Sequence, residues 1–199
     1  TTDAVITAEQ AATALKSATG VTFDRIDSDG CMSTNDTVLL LASGASRVTP
    51  DLAEFTAALN TVCWDLSSQI IADAEGASKD ITIVVDEAAS ANDAVEVARA
   101  IARSNLLKCA IHGEDPNWGR VLSAIGTTNA VFEPNQVDVA INGIWICKGG
   151  EIGADRDLVN LSGRAVEIRV ALHAGTQSAT VLTNDLTADY VHENSAYAS

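Results

Sequence analysis

Ten residues, Ile111-His112-Gly113-Glu114-Asp115-Pro116-Asn117-Trp118-Gly119-Arg120, bring together an imidazole, two carboxylates, a carboxamide, an indole and a guanidinium around a sharp turn. Asp115 can act as a helix N-cap and Pro116 as the first helical residue, where a missing N–H costs nothing. A helix is therefore expected from Pro116 through Arg120, Val121, Leu122 and Ile125, stopping near Gly126. Helix chemistry does not require Asn117, Trp118, Gly119 and Arg120 together, so the stretch reads as a site or an interface corner. A well-capped helix with a packed Trp and a surface Arg is the plainer alternative.

The patterns of several common chemistries are absent. Asp27-Ser28-Asp29-Gly30 begins like a calcium loop, but the residues that follow do not complete the twelve-residue ligand pattern, so a tight turn is expected. His112, His173 and His192 have no HExxH-like pairing and read as surface or turn histidines rather than metal ligands. The glycines do not form a GxGxxG turn after a strand, and no Gly-x-Ser-x-Gly elbow occurs. Cys31, Cys63, Cys109 and Cys147 lack CxxC spacing; three lie in apolar surroundings and all four read as reduced thiols, which suits the cytoplasm.

Two further segments stand out. Asp29-Gly30-Cys31-Met32-Ser33-Thr34-Asn35-Asp36-Thr37 is a polar turn running into the apolar Val38-Leu39-Leu40-Leu41-Ala42, and the C-terminus ends in Glu193-Asn194-Ser195-Ala196-Tyr197-Ala198-Ser199. Together with the ten-residue stretch and Thr1-Thr2-Asp3-Ala4, these motifs resemble the β chain of bacterial ornithine acetyltransferases, the glutamate N-acetyltransferases of arginine biosynthesis, over essentially the whole chain. The pair Cys31-Met32 departs from the more polar residues usual in that family.

The resemblance implies nucleophilic acyl transfer on a self-processing scaffold. A precursor cuts itself before a threonine, whose hydroxyl then carries the acetyl group from N-acetylornithine to glutamate; the threonine's own α-amine can take the hydroxyl proton. It also implies that this threonine lies a few residues upstream of Thr1, with Thr1 the lesser candidate, because Thr1-Thr2-Asp3-Ala4 matches a segment that follows the family's cleavage point. By the same resemblance Glu75, Asn194 and Ser199 are substrate-binding residues. The oxyanion hole would come from a partner α chain, in an assembly of two α and two β chains. No cofactor is implied, although acetyl-CoA could serve as a second acetyl donor. An aminopeptidase or amidase of the related self-processing superfamily and a non-catalytic subunit are the competing readings.

The plainer reading of Glu75 is an exposed glutamate at a helix end. It falls near the expected end of a long helix, where a carboxylate meets the negative end of the helix dipole, and such a placement favours a functional carboxylate over a decorative one. A carboxylate there could hold the ammonium of ornithine or position the threonine amine.

These residues must be positioned by an α/β framework of layered sheets flanked by helices. Thr7-Ala8-Glu9-Gln10 has the form of a capping box and should start a helix through Lys16. Val21–Ile26 reads as a strand or an approach to the following turn, and Val38–Ala42 as a strand covered on both faces. Leu52, Phe55, Leu59, Val62, Leu66 and Ile70 set a helical stripe that should end between Ala74 and Gly76. Ile81–Val85 is an expected strand, and 91–107 an expected second long helix capped by Ser90 or Asn92. Asn142-Gly143 predicts a hairpin between Val137–Ile141 and Ile144–Cys147. Val166–Leu172 should pair with Ser178–Thr183 across a turn near Gly175. The expected division is an α/β part over 1–110 and a β-rich part with an ordered tail over 111–199.

With 199 residues, 47% of them hydrophobic, the chain can bury a substantial core. A net charge of −15 disfavours nucleic acid and anionic membrane as partners. No run approaches the ~18 apolar residues of a membrane span, and the first residues lack the charged-then-apolar pattern of a signal peptide.

Overall fold

The computed structural model describes residues 1–196, and it divides into two compact units. One comprises Thr1–Ile26 and Cys31–Ile70; the other comprises Asp27–Gly30 and the chain from Ile71 onward. The expected boundary at 110 falls inside the second unit. It fails because the helices before it and the strands after it bury their apolar faces in one core.

In the first unit, helix α1 (Ala8–Val21) starts as its sequence dictates. The Thr7 hydroxyl accepts from Gln10 N–H, and Gln10 Oε1 accepts from Thr7 N–H at 2.9 Å. Of the two readings of Val21–Ile26, a strand or an approach to the turn, the strand does not form: the segment is the end of α1 and a single 3-10 turn over Phe23–Arg25. Thr22 makes the stop, its hydroxyl donating back to the Ala18 carbonyl at 2.7 Å. Helix α2 (Leu52–Ala72) runs on from the Asp51 carboxylate, which accepts from Ala53 and Glu54 N–H groups.

Val38–Ala42 does not form a strand buried on both faces. It is extended and makes one parallel bridge, Ala42 to Thr2, while Leu39 and Leu41 are 71% and 60% exposed. Val62, Leu66 and Ile70 on α2 are exposed too, and the neighbouring stripe of Cys63, Ser67 and Ile71 is buried instead. The apolar pattern of 38–42 and of Val62, Leu66 and Ile70 is therefore not buried among the described residues, contrary to expectation.

The second unit is built on a six-stranded mixed sheet. Its strands are β1 (Asp80–Ala88), β2 (Asp138–Ile141), β3 (Ile144–Lys148), β4 (Glu151–Ile152), β5 (Ala165–Ala171) and β6 (Gln177–Asn184), in the order β4-β3-β2-β5-β1-β6. The Asn142-Gly143 hairpin forms as expected, both residues at positive φ. The expected β5–β6 hairpin does not: β1 lies between them, parallel to β5 (Ile83 opposite Ile168) and antiparallel to β6 (Ile83 opposite Val181). Alternation alone gives a strand its faces but not its neighbours.

Along β1 the side chains of Ile81, Ile83 and Val85 enter the core with Val166, Ile168 and Val170 of β5. On the other face Arg169 pairs with Asp86 at 2.6 Å and Glu167 at 3.3 Å. Helices α3 (Ala91–Ala102), α4 (Asn105–His112) and α5 (Trp118–Ile125) supply the apolar side chains Val97, Ile101, Leu107, Ile111, Val121 and Ile125 to this core. The single helix expected over 91–107 is broken by Ser104, whose hydroxyl accepts from Leu107 N–H and starts α4. Helix α5 begins two residues later than expected. Asn117, not Asp115, is its cap, its Oδ1 accepting from Arg120 N–H at 3.2 Å, because the Asp115 carboxylate is turned to the Asn117 side-chain amide at 3.0 Å. Helix α6 (Ala188–Ala196) ends the described chain. Among the described residues no helix is long and apolar enough to cross a membrane.

Candidate functional site

Glu75 sits at the surface in the short turn between α2 and β1, three residues past the last helical residue. The backbone of this turn is held from several sides. Arg164, at the start of β5, donates from Nη2 to the Ala72 carbonyl at 2.7 Å and from Nη1 to the Ala77 carbonyl at 3.2 Å. The same guanidinium grips Asp80 with two bonds, at 2.8 and 3.0 Å, and that carboxylate raises its pKa above the ordinary guanidinium value. Both ends of the turn are therefore drawn to one planar donor, a task its fork geometry suits.

On the other side stands Asp185, whose side chain is fully buried. Its Oδ1 accepts from the backbone N–H groups of Ser78 and Lys79, each at 2.9 Å. Its Oδ2 accepts from the Ser78 hydroxyl and from His112 Nδ1, the latter at 2.9 Å. Burial pushes this carboxyl's pKa up, but the four donors outweigh it and hold the pKa below the ordinary value. An ionised Asp185 accepts only, so His112 carries its proton on Nδ1.

Ser78, His112 and Asp185 do not form a hydrolytic triad. In a triad the serine lies on Nε2 and the carboxylate on Nδ1. Here the Ser78 hydroxyl is 3.2 Å from Nδ1, the nitrogen already engaged by Asp185. The cluster is a brace.

The ten-residue stretch 111–120 reaches the same place. His112 ends α4 on Asp185, and Glu114, at φ +57°, pairs with Lys79 Nζ at 3.0 Å. Lys79 is buried and also donates to the carbonyls of Leu161 (2.5 Å) and Gly163 (3.1 Å). Downstream, Asp115 faces Arg156 at 3.7 Å, while Arg120 donates to the Leu106 carbonyl. The polar groups of this stretch thus support the turn next to Glu75 and the α4–α5 corner.

Asn194 lies on α6, exposed, its amide donating to the Tyr190 carbonyl at 2.9 Å. The other end of α6 touches the Glu75 turn directly. Thr187 donates its hydroxyl proton to the Gly76 carbonyl at 2.6 Å and accepts from Tyr190 N–H at 2.9 Å, capping the helix. Gly76 has φ +63°, and its Cα is so close to the Asp189–Tyr190 backbone that a Cβ would stand 2.4 Å from Tyr190 N. Glu75 and the helix carrying Asn194 are thereby brought onto one piece of structure. Ser199 lies outside the described residues.

Thr1 belongs to the first unit. Thr2 N–H donates to the Leu41 carbonyl at 2.8 Å and Ser43 N–H to the Thr2 carbonyl at 3.0 Å. Thr1, Thr2, Asp3, Leu41, Ala42 and Ser43 line an open depression of about 630 Å³.

The Asp27–Gly30 segment folds as a tight turn. Asp27 accepts from Gly30 N–H at 3.1 Å and from Arg103 Nε at 2.8 Å, the Ser28 carbonyl accepts from Lys108 Nζ, and the Ser28 hydroxyl donates to Asn184 at 2.8 Å. Burial pushes the Lys108 amine's pKa down. Among the described residues no cluster of three His, Cys, Asp or Glu side chains could hold a metal ion. None of the four cysteines is in a disulfide. Cys63 and Cys147 are buried, which raises their thiol pKa values, whereas Cys109, expected among apolar neighbours, is exposed.

Sequence reasoning missed Asp185, Ser78, Lys79 and Thr187. Each is a common polar residue without a motif around it, and only the β1–β6 pairing brings 78–79 beside 185. His112 and His173 were expected as plain surface or turn residues, yet both are engaged by carboxylates. His173 lies 2.5 Å from Glu87 and 3.1 Å from Asp138.

The structure aligns with the crystal structure of the arginine biosynthesis bifunctional protein ArgJ from Bacillus halodurans at a TM-score of 0.93 and 39% identity, covering 98% of this chain and 97% of that one. Arginine biosynthesis bifunctional proteins ArgJ from Streptomyces avermitilis and Streptomyces coelicolor are 67% and 65% identical over all of this chain and 52% of each relative. The relative from Mycobacterium leprae is 50% identical over 49% of its length. The chain therefore spans about half the length of the curated relatives it matches. The profile of the ArgJ family matches residues 1–199, and the chain belongs to that family.

Proposed function

We propose that this chain is the β part of an enzyme that transfers the acetyl group of N-acetylornithine to glutamate in arginine biosynthesis. The observation that carries the reading is the family match along the whole chain, and the braced turn presenting Glu75 supports it. The nucleophile is a threonine a few residues ahead of Thr1, freed by self-cleavage of the precursor. Its hydroxyl attacks the acetyl carbonyl while its amine takes the hydroxyl proton; the amide bond breaks and ornithine leaves with that proton. Glutamate's amine then attacks the acetyl ester, giving N-acetylglutamate and restoring the threonine.

Glu75 holds the ammonium of ornithine by a charge-assisted contact, and Asn194 and Ser199 complete the substrate contacts from the C-terminal segment. The other half of the precursor supplies the oxyanion hole, where pre-aimed donors stabilise the developing alkoxide. It also covers the exposed Leu39 and Leu41, in an assembly of two α and two β chains working in the cytoplasm. In this reading acetyl-CoA can serve as a second acetyl donor, and no cofactor is needed for either transfer.

The test is to incubate the two-chain enzyme with N-acetylornithine, with and without glutamate, and to follow ornithine, acetate and N-acetylglutamate. Glutamate-dependent ornithine release with N-acetylglutamate as product is expected. Release of acetate at the same rate without glutamate would identify an amidase, and no release in either case a non-catalytic subunit.

A further inference from the structure

The Glu75 turn and helix α6 are separated by more than a hundred residues of sequence, and one buried side chain joins them. Thr187 is 5% exposed, and its hydroxyl is used in both directions: it donates to the Gly76 carbonyl and accepts from Tyr190 N–H. The second bond is ordinary N-capping, which Ser, Thr, Asp or Asn can make. The first is not. An Asp at 187 would set a carboxylate against a carbonyl oxygen, so the position calls for a group that both donates and accepts, as the Thr187 hydroxyl does.

Gly76 completes the junction. Without a Cβ it lets the Asp189–Tyr190 backbone approach closely, and its positive φ turns its carbonyl toward Thr187 and away from the helical course of α2. Two residues before Thr187, Asp185 holds Ser78 and Lys79, so the turn is tied to the 185–190 segment at both Gly76 and Ser78–Lys79.

We propose that Thr187 is a positioning residue for Glu75, fixing the turn that presents the carboxylate to the helix that carries Asn194, so that both substrate contacts keep one geometry. The inference rests on the reading of Glu75 as a contact to the substrate ammonium. Thr187 touches no substrate itself. Its effect runs through the geometry of Glu75, as expected where a site must be held to a fraction of an ångström by its supporting shell.

The experiment uses the two-chain enzyme made from the full precursor and compares Thr187→Val, Thr187→Ser, Glu75→Ala and the double variant Thr187→Val/Glu75→Ala, with Ser78→Ala as a milder second perturbation of the same junction. Thr187→Val is expected to raise KM for N-acetylornithine on the order of three- to tenfold, the range for one lost hydrogen bond. Thr187→Ser, which keeps the hydroxyl, should restore the parent value. Ser78→Ala should raise KM in the same direction and by less. In the Glu75→Ala background Thr187→Val should add nothing, because the group it positions is gone; non-additivity of this kind is the signature of coupled residues. An equal KM increase from Thr187→Val in both backgrounds would show a general structural role and overturn the inference while leaving Glu75 as a substrate contact. If Thr187→Val does not fold, an unchanged KM for Ser78→Ala overturns the inference. If Glu75→Ala itself leaves KM unchanged, the underlying reading of Glu75 falls, and this inference falls with it.

Discussion

Replacing Gly76 with alanine forces a side chain into backbone. The new Cβ would stand 2.4 Å from Tyr190 N, 2.6 Å from Asp189 C and 2.9 Å from Tyr190 Cα, and none of these atoms is the end of a flexible side chain that can swing away. The residue would also hold φ +63°, which costs an L-residue roughly 1–2 kcal/mol. Overpacking against a well-packed surface adds about 1–3 kcal/mol. Together these give about 2–5 kcal/mol, and at ~2–4 °C per kcal/mol for a chain of this size the melting temperature should fall by about 4–20 °C. The damage is also local, because relief requires α6 to move off the Glu75 turn. KM for N-acetylornithine should therefore rise in the enzyme that remains folded below the transition. Gly20→Ala is the control: Gly20 lies in α1 with no atom within 4 Å of a built Cβ, and alanine there should be neutral or stabilising by about 0.4–1 kcal/mol. Thermal unfolding of the two variants beside the parent, with steady-state kinetics, reads both effects. A Gly76→Ala enzyme that melts within about 1 °C of the parent with unchanged KM would refute the close-approach argument.

Glu75→Ala should lower kcat/KM for N-acetylornithine by roughly ten- to a hundredfold, the loss of one charge-assisted contact, while leaving stability within about ±0.5 kcal/mol as for an exposed surface group; a collapse in melting temperature would mark a structural glutamate instead. His173 is held by hydrogen bonding to Asp138 and by Glu87, which raise its pKa above the ordinary 6.5. Its stabilisation is complete below that ordinary value and is lost as pH rises through the raised one, so His173→Asn should lower the melting temperature more at pH 6 than at pH 9; an equal difference at both pH values would contradict the sign. Asp138 shows the opposite case. Burial raises its carboxyl's pKa, but hydrogen bonds from Lys148, Gly149 and His173 win and lower it, so its contribution is present above the ordinary value of 3.8 and vanishes as pH falls through the lowered one. The melting-temperature loss caused by Asp138→Asn should accordingly shrink on acidification, and a constant loss would argue against it. Leu39→Asp should leave the first unit folded by circular dichroism while weakening association with the other half of the precursor, since Leu39 is exposed in this chain; unchanged co-purification would remove 38–42 from the interface.

Local chemistry was legible wherever a residue acts within a few positions of itself. Thr7 with Gln10 and Asn142-Gly143 carry their geometry in neighbouring residues, so a helix start and a hairpin could be read directly; Ser90, one of the two caps expected for α3, is the one used, accepting from Asp93 N–H. Contacts set by strand order were not legible. The alternation of 166–172 and 178–183 identified two strands, but nothing in it reports that β1 slips between them, and that insertion is what brings Ser78 and Lys79 beside Asp185. Competing caps were a second blind spot. Asp115 and Asn117 can both cap a helix, and the winner is decided by which carboxylate or carboxamide is already engaged elsewhere. Val38–Ala42 exposed a third, because an apolar run announces burial without saying whose surface provides it. In the candidate site, Glu75 is singled out by family resemblance and by its place past a helix end. The groups that hold it, Arg164, Asp185 and Thr187, carry no pattern of their own, since each bonds to backbone atoms that any sequence would offer.

Acetyl transfer through a threonine of the β chain leaves a covalent mark, which intact-mass measurement of that chain after exposure to N-acetylornithine alone would read. The β chain should begin a few residues before Thr1, carry one added acetyl group on its first threonine, and lose that group to glutamate with formation of N-acetylglutamate. A β chain that begins at Thr1 and is acetylated there would contradict the placement of the nucleophile. A β chain that gains no acetyl group while N-acetylglutamate still accumulates would contradict the covalent route itself.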